Sequence, residues 1–161
     1  MENYGVIYNK SSARCGIMDV RNLANNILRR SFKQENPITN MKLLKLLYFI
    51  YGEYLKNHSK RLFTERFEAW DYGPVLPTVY NEFKGYGAGK IEDYYRDTSG
   101  NAFDITETPD IKSAIDKIWI KYYNSNGIEL SKITHQNGSA WRKAWENNYL
   151  FLEDEDIKNE P

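Results

Sequence analysis

The run NMKLLKLLYFIYGEYLKNH (40–58) constrains the fold more than any other segment. Leu43, Leu44, Leu46, Leu47, Tyr48, Ile50, Tyr51, Tyr54 and Leu55 cover nearly every direction of a helical wheel. Only a thin stripe of Lys42, Lys45 and Lys56 is left polar. A helix that is apolar nearly all round is a buried one. The sequence therefore predicts a central helix over about 40–57, capped by Thr39, with the other elements packed around it.

Around this helix the spacing predicts five further elements of the same kind. Val20, Leu23, Ala24, Ile27 and Leu28 give one face of a helix capped by Asp19. Pro77 suits the first turn of a short helix carrying Val79, Tyr80 and Phe83 and ending in Gly85–Gly89. Ile111, Ala114, Ile115, Ile118, Trp119 and Tyr122 form the apolar face of a helix from Asp110, stopped by Asn126-Gly127. Ile128–His135 and a segment capped by Ser139 complete the set. Between 61 and 71 the period changes to two. Arg61–Phe63 and Phe67–Trp70 read as strands of a short antiparallel hairpin, ended by a Gly73-Pro74 turn. Phe103–Ile105 reads as one more short strand. The expected fold class is mainly α with a small β element, about five to six helices around the central one. Three regions are expected: a flexible extension (1–17), a single domain (18–150) and a frayed acidic tail (151–161).

Composition excludes several function classes. Basic and acidic side chains balance at 22 each, and the single Cys15 has no internal disulfide partner. No run approaches the ~18 apolar residues of a membrane helix, and the first seventeen residues lack a signal-peptide core. A cytoplasmic protein is expected. Charge is unevenly spread: ten basic against four acidic residues over 18–66, and six against eleven over 67–130. The basic group Arg21, Arg29, Arg30, Lys33, Lys42 and Lys45 invites a helix-turn-helix reading. The second helix is too apolar to lie in a groove, and overall neutrality argues against a nucleic-acid partner.

Candidate chemistry is sparse. His58, His135 and Cys15 are too few for a zinc site, and no phosphate-binding loop is present, so neither metal nor cofactor is expected. His135 is the best general-base candidate, and an enzyme built on it would need a carboxylate within hydrogen-bond reach. The alternative is that His135 holds the adjoining turn. The densest stretch, AWDYGPVLPTVYNEFKGYG (69–87), holds one Trp, three Tyr, one Phe, two Pro and three Gly but no nucleophile. It reads as a rigid corner.

Three blocks carry a family resemblance: MKLLKLLYFIYGEYL (41–55), FEAWDYGPVLPTVYNEFKGYG (67–87) and LSKITHQNGSAWRKAW (130–145). Their order and spacing resemble the SocA-like Panacea domain, a phage-associated domain, over about Met18 to Trp145. Asp71 and Asn137-Gly138 depart mildly from its usual pattern. The resemblance implies a mainly helical bacterial or prophage protein without catalytic activity. Many such proteins are antitoxins that bind a cognate toxin directly, and one type delivers its toxin to an ATP-dependent protease. A phage or mobile-element effector that binds a host defence protein is the alternative, and a homo-oligomer is compatible with either. Trp70, Gly73, Pro74, Pro77, Tyr80 and His135 are expected to be structural motif residues. Tyr72, Tyr86, Trp141 and Arg142 are expected at the partner surface, being of types that anchor interfaces.

Overall fold

A computed structural model describes residues 17–161; the expected extension, apart from Ile17, lies outside the described residues. Helix α1 (Val20–Lys33) starts where the Asp19 carboxylate accepts the Arg21 N–H at 2.9 Å. Helix α2 (Asn40–His58) is capped by the Thr39 hydroxyl and ends at Ser59 in the left-handed region. Helix α2 is the buried centre that the sequence demands. It packs on α1, on strand β2 (Gly73–Val75), and on helices α3 (Pro77–Phe83), α4 (Pro109–Tyr122), α5 (Gly127–Thr134) and α7 (Asp154–Lys158). Helix α6 (Ala140–Glu146) begins at Ser139, whose hydroxyl accepts the Arg142 N–H. The described residues thus form a mainly helical fold with one two-stranded antiparallel sheet.

The hairpin lies further along the chain than predicted. Strand β1 (Glu68–Trp70) pairs with β2, Trp70 opposite Gly73 and Glu68 opposite Val75, across a two-residue turn of Asp71 and Tyr72. Gly73-Pro74, read as the turn, opens the second strand. Arg61–Phe63 is not a strand. Its alternation fails at Leu62 and Phe63, which are both fully buried. The Arg61 guanidinium also donates to the carbonyls of Phe63, Thr64 and Glu65, curling the segment around itself. Phe103–Ile105 makes no strand either. Buried Asn25 binds that loop instead, donating to the carbonyls of Tyr95 and Phe103 and accepting the Tyr95 N–H.

Helix α4 stops at Tyr122, four residues before Asn126, because Asn126 begins the next helix. It and Glu129 form a reciprocal capping box at the start of α5.

The acidic tail, expected to fray, is docked. Leu150 accepts the Ala69 N–H and Leu152 donates to the Phe67 carbonyl, so residues 150–152 line the outer edge of β1. Helix α7 follows, with Ile157 buried. The Tyr51 hydroxyl donates to Asp154 at 2.7 Å, and Arg61 pairs with the same carboxylate. The Tyr48 hydroxyl donates to Glu160, which also accepts the Ala140 N–H at 2.8 Å. The acidic residues therefore satisfy hydroxyls on the central helix that would otherwise be buried unpaired. Deleting residues 154–161 should lower stability by roughly 4–5 kcal/mol, from Ile157 burial at about 2–3 and two hydroxyl hydrogen bonds at about 1 each. Urea unfolding measures this; an unchanged midpoint would mean that the tail contributes nothing.

Candidate partner-binding face

The hairpin is held by its main chain. Four of its carbonyls accept hydrogen bonds from side chains of other elements. Trp70 accepts the Trp141 indole N–H at 2.7 Å, and Asp71 lies 2.9 Å from His135 Nε2. Tyr72 accepts the Ser131 hydroxyl at 2.5 Å, and Pro74 accepts the Lys45 ammonium at 3.1 Å. All three sequence blocks meet in this junction: Lys45 from the first, the hairpin from the second, and Ser131, His135 and Trp141 from the third.

The junction dictates residue types. Gly73 has φ +112°, and a Cβ there would lie 2.6 Å from Thr134 Oγ1 and 2.8 Å from Lys45 Cε. Only glycine combines that conformation with that approach. Both His135 ring nitrogens face main-chain carbonyls, of Ser131 and Asp71, rather than a carboxylate. His135 thus ties the end of α5 to the hairpin turn, and the Arg142 guanidinium clamps the His135 carbonyl with bonds of 2.7 and 3.1 Å.

The residues expected at a partner surface divide. Tyr72, in the turn, is 67% exposed. Trp141 is not at the surface: it is 3% exposed, because its indole packs on the rings of His135 and Trp145 and donates to the Trp70 carbonyl. Arg142 is half-exposed but engaged with His135. Tyr86 is half-buried beside Phe83. Trp70 and Tyr80 are half-buried and meet edge to face at 5.0 Å, and Pro77 starts α3.

Beside the hairpin an open cleft of about 900 Å³ runs between the first turns of α2 and α5 and the 3-10 turn Lys84–Tyr86. Met41, Leu44, Trp70, Tyr72, Tyr80 and Ile128 supply much of its wall, and Lys45 and Lys84 line it too. Of the cations read as a basic region, Arg21 pairs with Asp19, and Arg30 with Glu107 and Asp116. Lys42 and Lys45, read as a polar stripe, are buried. The acidic middle of the chain thus partly neutralises its basic start. Among the described residues, no group of three or more His, Cys, Asp or Glu could hold a metal ion, and no helix is long and apolar enough to cross a membrane.

Comparison with known proteins shows the family. The family model described as "Antitoxin SocA-like, Panacea domain" matches residues 43–142, from the central helix through the hairpin to Arg142. The chain belongs to this family. It is 31% identical to the protein named Antitoxin SocA of Caulobacter vibrioides (strain NA1000 / CB15N) over 129 residues, 77% of this chain and 69% of that protein. No solved structure matches it.

Lys45 is a junction residue that the helical pattern does not reveal. It is 1% exposed, and burial lowers its pKa from the ordinary 10.5 to about 7. Between those values the unfolded chain holds a lysine proton that the folded chain has released. The contribution of Lys45 to stability therefore rises with pH from about 7 to 10.5, its penalty being fully present below 7. Lys42, lowered by burial and by Lys90, acts with the same sign. In urea unfolding, Lys45→Met should flatten the rise in midpoint between pH 7 and 10. Parallel profiles for the two proteins would contradict a buried, depressed Lys45.

Proposed function

We propose that this chain is the antitoxin of a toxin–antitoxin pair and neutralises its cognate toxin by direct binding, through the face around the β1–β2 hairpin. One observation carries the choice of face. Six large hydrophobic residues are exposed among the described ones, and five surround the hairpin. Tyr72 occupies its turn, and Ile128 stands across the cleft. Tyr149, whose N–H closes the end of α6 on the Ala144 carbonyl, leads into Leu150 at the outer edge of β1, where Leu150 accepts the Ala69 N–H. Trp145 stacks at 5.1 Å on Trp141, which holds Trp70. Exposed apolar groups gathered on one face mark an interaction surface, and aromatic side chains on a rigid support lose little entropy on binding. The sixth, Ile120, lies on α4. The antitoxin name of the relative supports a toxin as the partner.

The test is co-expression with the product of the adjacent gene. The wild-type chain is expected to restore growth and to co-purify with that product. Tyr72→Ala combined with Tyr149→Ala should weaken binding by about tenfold or more, with an unchanged melting temperature because both residues are exposed. Toxin half-life, measured in the same cells, separates two modes. A stable toxin means masking, and a shortened half-life means delivery to an ATP-dependent protease. A chain that neither rescues growth nor co-purifies contradicts the proposal.

A further inference from the structure

The cleft beside the hairpin has a chemistry of its own. We infer that it receives an extended segment of the toxin in which a large apolar side chain lies next to a carboxylate; this assignment rests on the antitoxin reading.

Three observations define that occupant. The cleft, at about 900 Å³, is wide enough for several peptide residues, and Met41, Leu44, Trp70, Tyr80 and Ile128 make much of its wall apolar. An apolar side chain of the partner fits there, and Tyr72 and Ile128 lose solvent on its arrival.

The electrostatics select an anion beside it. The exposed lining cation is Lys84; Lys45 is buried against the Pro74 carbonyl, and the lining carboxylate is Asp71. Lys84 is exposed and makes no ion pair among the described residues. The first turn of α2 also borders the cleft at Asn40-Met41 and carries no acidic residue, so the positive end of that helix adds to the same potential, whereas the start of α5 is already compensated by the Glu129 carboxylate of its capping box. A carboxylate near Lys84 gains from that ammonium and from the start of α2, and a lysine or arginine there is repelled.

The third observation calls for a peptide rather than an isolated side chain. Asn40 lines the cleft and is 4% exposed. Its Nδ2 donates to the Tyr80 carbonyl at 3.1 Å, which fixes the orientation of the amide. Its Oδ1 is buried and accepts nothing among the described residues. A buried acceptor without a donor is costly; this oxygen lies behind the cleft wall, so a peptide N–H satisfies it only as the entering segment displaces that wall.

The experiment uses fluorescein-labelled 15-residue peptides that tile the adjacent-gene toxin, titrated by anisotropy against the full chain. One short region of the toxin should bind, with an Asp or Glu within two residues of a large apolar residue. Lys84→Glu and Ile128→Asp should each raise Kd by roughly tenfold or more, and Ile120→Asp should leave it unchanged. Lys in place of the peptide's carboxylate should abolish binding to the wild type and restore it to Lys84→Glu. The three protein variants change exposed side chains, and matching melting temperatures verify their fold. Three results overturn the cleft assignment: equal binding by the cleft variants, a bound segment that is basic, or whole-toxin binding with no peptide binding. Failure of the wild-type chain to bind or neutralise the whole toxin instead overturns the antitoxin reading beneath it.

Discussion

Everything on the candidate face depends on four main-chain carbonyls of one hairpin finding donors on other elements. A two-stranded hairpin is marginal alone, because three-residue strands bury too little and their outer groups lack partners. Here Trp141, His135, Ser131 and Lys45 turn it into part of the core. A side chain released from that work can be exposed without loss of order, and Tyr72 is the clearest case. The turn that presents it is bonded on both sides, through Asp71 to His135 and through its own carbonyl to Ser131. This is how a small, mostly helical protein offers a rigid aromatic contact without a large sheet.

The same junction is electrostatically expensive. Lys45 is a charge inside an apolar helix bundle, and burying an ammonium group is favourable only where hydrogen bonds compensate it. The depression of its pKa to about 7 expresses that cost. Gly73 makes the close approach feasible, since a side chain there would push Lys45 and Thr134 away from the hairpin. One to two turns further along the central helix a different compensation operates. The acidic tail brings Asp154 and Glu160 to the hydroxyls of Tyr51 and Tyr48, and burial raises the Glu160 carboxyl above its usual range. Polar groups on a nearly all-apolar helix are thus satisfied by segments distant in sequence.

Local pattern makes much of the fold legible. The central helix, the caps Asp19, Thr39 and Ser139, the start of α3 at Pro77 and the mainly helical class all follow from spacing within one turn or one element. The elements that local pattern misplaces depend on distant partners or on contacts it does not encode. Periodicity sets the hairpin several residues early because Arg61 folds its own segment around three carbonyls. A run of carboxylates looks solvated, so the tail is expected to fray, while its hydroxyl partners lie about a hundred residues earlier. On the candidate face, the three motif blocks are visible in the sequence, but their meeting is not. Trp141 looks like a surface anchor and is a core donor. Lys45 looks like part of a solvent stripe and is buried. Tyr149, Leu150 and Phe151, three apolar positions just before the acidic run, are the sequence signal for the exposed edge.

The central assignment is that the hairpin face meets the toxin. Amide hydrogen exchange on the free chain and on its complex with the adjacent-gene toxin tests this most directly. Toxin binding should slow exchange at 69–75, 126–131 and 145–150, and leave the exposed side of α4 around Ile120 unchanged. Protection confined to α4, with the hairpin exchanging as in the free chain, would contradict the assignment.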